Sequence, residues 1–124
     1  MMQHLLESYF AMILAHSALL LEASDSPLTE IQKSSITLIS KYTEELKQSV
    51  KKTEILSETE MHRFLRHELL NVLTPIVGYI EMLADGWIGK LTPDQAAHIE
   101  IIYYAVHDVQ SIIESQTMLP ALAS

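Results

Sequence analysis

Between residues 99 and 113 the chain carries aliphatic side chains at Ile99, Ile101, Ile102, Ala105, Val106, Val109, Ile112 and Ile113. At about 100° per residue in a helix, these positions cover close to half of the circumference. A single antiparallel neighbour covers less than that. The face therefore needs a third or fourth helix, supplied either by the N-terminal part of the chain or by a second copy. Any fold the chain adopts must meet that demand.

The rest of the sequence can supply helices and no strands. A helix over about residues 3–23 is apolar around much of its circumference, as a buried helix would be. The turn-forming SDSP, Ser24 to Pro27, breaks it. A second helix, over about residues 28–56, shows Ile31, Leu38, Tyr42, Leu46 and Val50 on one stripe. Near its end Ser57 and Glu60 have the spacing of a capping box, which either restarts a helix or is overrun by one. A third helix, from about Glu58 to Ala84, presents Leu65, Leu69, Val72, Leu73, Ile76, Ile80 and Leu83 on one face. DGWIGK stops it, with Gly86 or Gly89 free to take a left-handed conformation. In TPDQ, Thr92 is an N-cap, Pro93 a first helical residue and Gln95 a capping-box partner.

The expected fold is all-α: a helical hairpin that dimerises into a four-helix bundle, with additional N-terminal helices. The expected divisions are an N-terminal helical region at 1–56, the hairpin at 57–118 and a tail at 119–124. With 124 residues, almost half of them apolar, this is a folded composition of about one domain. The net charge of −8 argues against nucleic acid or an anionic membrane surface as main partner. There is no cysteine, so disulfides, thiolate metal sites and thiol nucleophiles are excluded. FAMILAHSALLL, Phe10 to Leu21, is too short to span a bilayer, and no basic segment precedes it. A cytoplasmic chain that is not inserted in a membrane is expected.

Chemistry concentrates in RHELLNVLTPIVGY, Arg66 to Tyr79. His67, Asn71 and Thr74 lie opposite the apolar stripe of their helix, with Arg63 one turn earlier. An outward histidine there presents a nucleophilic ring nitrogen. Histidine is also the side chain that ordinarily titrates near neutrality. Glu68 can hold the ring or take its proton, and Asn71 can orient a phosphoryl group or a water.

The order H-E-L-x-N-x-L-T-P-I-x-G-Y, followed by a hairpin loop and TPDQ, resembles the dimerisation and histidine-phosphotransfer domain of two-component sensor histidine kinases. The likeness runs from Glu58 to Ser115 and includes Phe64, Gly78, Tyr79 and DGWIGKLTPDQ. It implies that His67 is a phosphoacceptor, that Glu68 assists phosphoryl transfer, and that Asn71 is the polar residue of the family's phosphatase reaction. It also implies a homodimer that exchanges phosphate with a response-regulator receiver domain or a partner kinase. A non-catalytic scaffold that binds a receiver or kinase is the alternative.

Three departures qualify the likeness. Leu70 stands where a basic residue is usual, and Val72 where a proline is usual, the nearest proline being Pro75. No asparagine-rich or glycine-rich nucleotide boxes follow Ser115, so ATP-dependent autophosphorylation by this chain alone is not expected. The other histidines read as structural. His98 falls in the apolar stripe as a core residue, His62 and His107 look exposed, and His4 and His16 lack metal-ligand spacing. Trp87, Tyr103 and Tyr104 are expected to pack the loop and bundle. No cofactor or metal is expected.

Overall fold

The computed structural model describes residues 2–23 and 27–123, and the side chains of Met2, Leu65 and residues 116–123 are not considered. The expected turn at Ser24–Pro27 lies mostly outside the described residues, as does the Leu65 side chain of the predicted stripe. The helices are α1 (Met2–Glu22), α2 (Glu30–Lys52), α3 (Glu58–Phe64), α4 (Leu70–Ala84) and α5 (Pro93–Ala123). A π-helical turn, Leu65–Leu69, joins α3 to α4 without a break in the chain's helical path, and the described residues include no strand.

The bundle is completed within one chain. α1 packs on α2 and α5, and α4 packs on the same two, so α1 and α4 sit diagonally across the core. The stripe on α5 is buried at Ile99, Ile102, Ala105, Val106, Val109 and Ile113. α1 covers it with Leu6, Phe10, Ile13 and Leu20, in the place expected of a second copy. The physical reason is the register of α1, whose buried positions repeat at alternating steps of four and three residues. Ile101 falls at the edge of the stripe and stays 37 % exposed.

Helix boundaries follow from capping. Thr29 Oγ1 accepts from the Gln32 backbone N–H at 3.1 Å, and Gln32 Oε1 accepts from the Thr29 N–H at 2.9 Å. Thr92 and Gln95 make the same reciprocal pair, at 3.2 and 2.9 Å. After α2 a 3₁₀ turn, Thr53–Ile55, leads to extended Leu56. Ser57 Oγ then accepts from the Glu60 N–H at 3.2 Å, so an N-cap at Ser57 restarts the helix. Gly86 and Gly89 both take positive φ in the loop that reverses the chain.

Two sequence expectations shift. On α2 the buried face is Gln32, Ser35, Ile36, Ile39, Thr43, Leu46 and Val50, while Ile31 is 62 % exposed. The stripe through Ile31, Leu38 and Tyr42 runs along the edge of that face, because polar Gln32, Ser35 and Thr43 occupy inward positions that hydropathy alone gives to solvent. Trp87 is 81 % exposed at the loop tip, not packed on the bundle.

The two hairpins share one register. Eight buried apolar positions of the first have buried counterparts 63 residues further on: Leu6 and Leu69, Phe10 and Leu73, Ile13 and Ile76, Leu20 and Leu83, Ile36 and Ile99, Ile39 and Ile102, Leu46 and Val109, Val50 and Ile113. The capping pairs keep the same separation, Thr29 with Thr92 and Gln32 with Gln95. No insertion or deletion interrupts the correspondence, the loop included. The packing agrees, since exchanging α1 with α4 and α2 with α5 leaves the neighbour relations unchanged. The molecule is thus a pseudo-two-fold bundle made of two like hairpins.

Candidate functional site

The third helix is predicted to be regular, but the π turn falls at its chemically distinctive stretch, Leu65–Leu69. From Leu69 onward the core positions are Leu69, Leu73, Ile76, Ile80 and Leu83. Continued backwards as an α-helix, that phase would turn His62 and Glu58 inward. The extra residue of the π turn brings Met61 and Phe64 against the core instead. Half-buried Met61 and Phe64 pack on the core beside the turn, while Glu58 stays exposed, and this apolar contact is the physical reason for the turn. In the sequence Leu65 keeps a regular four-residue step to Leu69, so the periodicity alone does not signal the turn.

His67 sits in the middle of this turn and is exposed, as are Glu68, Asn71 and Thr74. The Asn71 side chain donates from Nδ2 to the His67 carbonyl at 2.6 Å, and Thr74 Oγ1 donates to the Leu70 carbonyl at 2.8 Å. The four predicted polar residues are therefore all exposed, and Asn71 is tied to the backbone of His67. Arg63 and Arg66, the only arginines of the sequence, are exposed beside it. In a chain of net charge −8 this is a local concentration of guanidinium suited to an anionic phosphoryl group. Pro75 lies inside α4, which is unbroken around it. Its missing N–H deprives the Asn71 carbonyl of a helical donor one turn beyond His67.

Other polar groups stand apart from this face. His98 is only partly buried, and its Nδ1 lies 2.9 Å from Nδ1 of His16, the two rings linking α5 to α1. The pairing is invisible in the sequence, where the two are 82 residues apart. His107 is partly buried, with Nε2 3.5 Å from Glu81 Oε1 and its ring against Tyr103. The Tyr9 phenol is held above its usual range, first by burial and then by the Asp108 carboxylate, which accepts its hydrogen bond. A cleft of about 290 Å³ lined by Ala84, Leu91, Ile99, Tyr103 and Tyr104 lies at the loop end. That is roughly 25 Å along the helix from His67. Among the described residues no group of three or more His, Cys, Asp or Glu comes together as a metal site.

Residues 57–116 match the family model of the His Kinase A (phospho-acceptor) domain. Over that stretch the α3–α5 hairpin is similar to the phospho-acceptor domain of the His Kinase A family. The match takes in the π turn, the exposed histidine face and the stripe of α5, and it stops short of α1 and α2. No curated protein matches the chain, and no solved structure does. The His Kinase A hairpin carries a phospho-acceptor role in two-component signalling, and here it is packed against a second hairpin of the same chain.

Proposed function

We propose that His67 is the phosphoacceptor of this His Kinase A hairpin and exchanges a phosphoryl group with an aspartate of a receiver domain. The observation that carries the reading is the exposed His67 on the π turn, beside Glu68, Arg63 and Arg66, within the family match. A ring nitrogen of His67 attacks the phosphorus of the aspartyl phosphate in line. The N–P bond forms as the P–O bond to the carboxylate breaks, and the carboxylate leaves with the electron pair. The proton on the other ring nitrogen passes to Glu68 or to water. Arg63 and Arg66 are placed to balance the charge of the transferring group. Asn71 acts through the His67 backbone carbonyl, positioning the turn that holds the ring. A second copy of the chain is not needed to complete the bundle, because α1 and α2 fill that place.

The test supplies the phosphate in trans. Receiver domains from the same genome, labelled on aspartate, are mixed with the full chain. Transfer is expected to give a label stable in alkali and lost in acid, whose rapid phase is absent from His67→Gln. Glu68→Ala should slow transfer by about 100-fold while leaving receiver binding unchanged, as loss of a proton acceptor predicts. Binding of receivers with no label passing in either direction would instead favour a scaffold.

A further inference from the structure

The first helix carries a histidine where the His Kinase A hairpin carries His67. His4 precedes Leu6 by two residues, as His67 precedes Leu69, and the two histidines keep the 63-residue separation of every buried pair. His4 is exposed, like His67. The residue four positions on caps the histidine carbonyl in both helices: Ser8 Oγ donates to His4 O at 3.1 Å, as Asn71 Nδ2 donates to His67 O at 2.6 Å. Because α1 and α4 are diagonal, the two histidines lie on opposite flanks of the same end of the bundle. Spacing, exposure and the local hydrogen bond thus agree, although the family match excludes this half.

We infer that His4 is a second phosphoacceptor, open to the same class of donor, an aspartyl phosphate on a receiver domain. This rests on the reading of His67 given above. The step is the same: the His4 ring nitrogen bonds to phosphorus and the aspartate carboxylate leaves with its electron pair. What differs is the assistance. Leu5 stands where the other half has Glu68, so the ring proton goes to water. Gln3 stands where it has Arg66, and no arginine flanks the site. His4 lies in the first turn of α1, the end of a helix that favours an anionic group. The site is therefore chemically complete but slow.

The experiment uses the full chain and aspartate-labelled receiver domains. His67→Gln is expected to retain an acid-labile label, gained about 100-fold more slowly than in the unaltered chain, the usual worth of a missing general base. Mass mapping should place it on His4, and the His4→Gln, His67→Gln double variant should take none. Leu5 is 47 % exposed, so Leu5→Glu is accommodated without disturbing the core. Introduced into His67→Gln, it should raise the rate by roughly 100-fold, by rebuilding the histidine–glutamate pair. If the unaltered chain is labelled but His67→Gln stays unlabelled, with and without Leu5→Glu, the second site is refuted and His67 stands. A residual label spread over His62 or His107 also refutes it. If the unaltered chain takes no label from any receiver, both readings fall together.

Discussion

Thr43 offers a test of the two-hairpin register that reads stability alone. It is fully buried on α2, and its hydroxyl has no hydrogen-bond partner. The residue 63 positions later is Val106, equally buried on α5. Thr43→Val keeps the shape and replaces the hydroxyl by a methyl group. A buried hydroxyl without a partner costs about 1–3 kcal/mol in proteins. Threonine and valine have nearly equal helix propensities, so the backbone contributes little. Thr43→Val is therefore expected to stabilise the fold by ~1–3 kcal/mol. That is a large share of a total stability of roughly 6–19 kcal/mol for a chain of this size. The assay is urea unfolding followed by helical circular dichroism, with the midpoint rising at unchanged slope. Thr37→Val, exposed on the same helix, is the control and should stay within about 0.5 kcal/mol of the unaltered chain. Destabilisation by Thr43→Val would mean that the hydroxyl is paired, and would refute the reasoning from an unpartnered buried hydroxyl.

Three further outcomes follow from the loop, from α4 and from α1. Gly89 has φ +128°, and an added Cβ would lie 2.8 Å from Gln32 Nε2, the amide that donates to the Lys90 carbonyl. Gly89→Ala should cost about 1–3 kcal/mol, whereas Gly78→Ala, with no atom near the new Cβ and a helical backbone, should gain about 0.5–1 kcal/mol in the same melts. Tyr9 has a folded pKa raised above its ordinary value of 10.0, so its stabilising effect is complete below that pH and is lost as pH rises through the folded value. Alkaline unfolding curves should show this loss above about pH 10, and Tyr9→Phe should remove that part of the pH dependence while keeping the neutral fold.

The sequence by itself determined the helices, their caps at Thr92 and Gln95, the stop at Gly86 and Gly89, and the outward face of His67, Asn71 and Thr74. These are local properties. A period near 3.6, a capping residue at fixed spacing and a glycine able to take positive φ act within one or two turns. It also contained the 63-residue register of the two hairpins, carried by buried positions and capping pairs and not by the polar residues that dominate a reading for motifs. Only the tertiary structure decided which surface meets the stripe of α5. An aliphatic face accepts any complementary aliphatic face, and α1 or a second hairpin would bury similar area. The contact of His16 with His98 belongs to the same category, because it depends on how two helices far apart in the chain are set against each other. The π turn at His67 lies between the two cases. Met61, Phe64 and Leu69 are written in the sequence, but Leu65 offers a regular step as well, and packing of Met61 and Phe64 on the core selects the turn only once all the helices have packed.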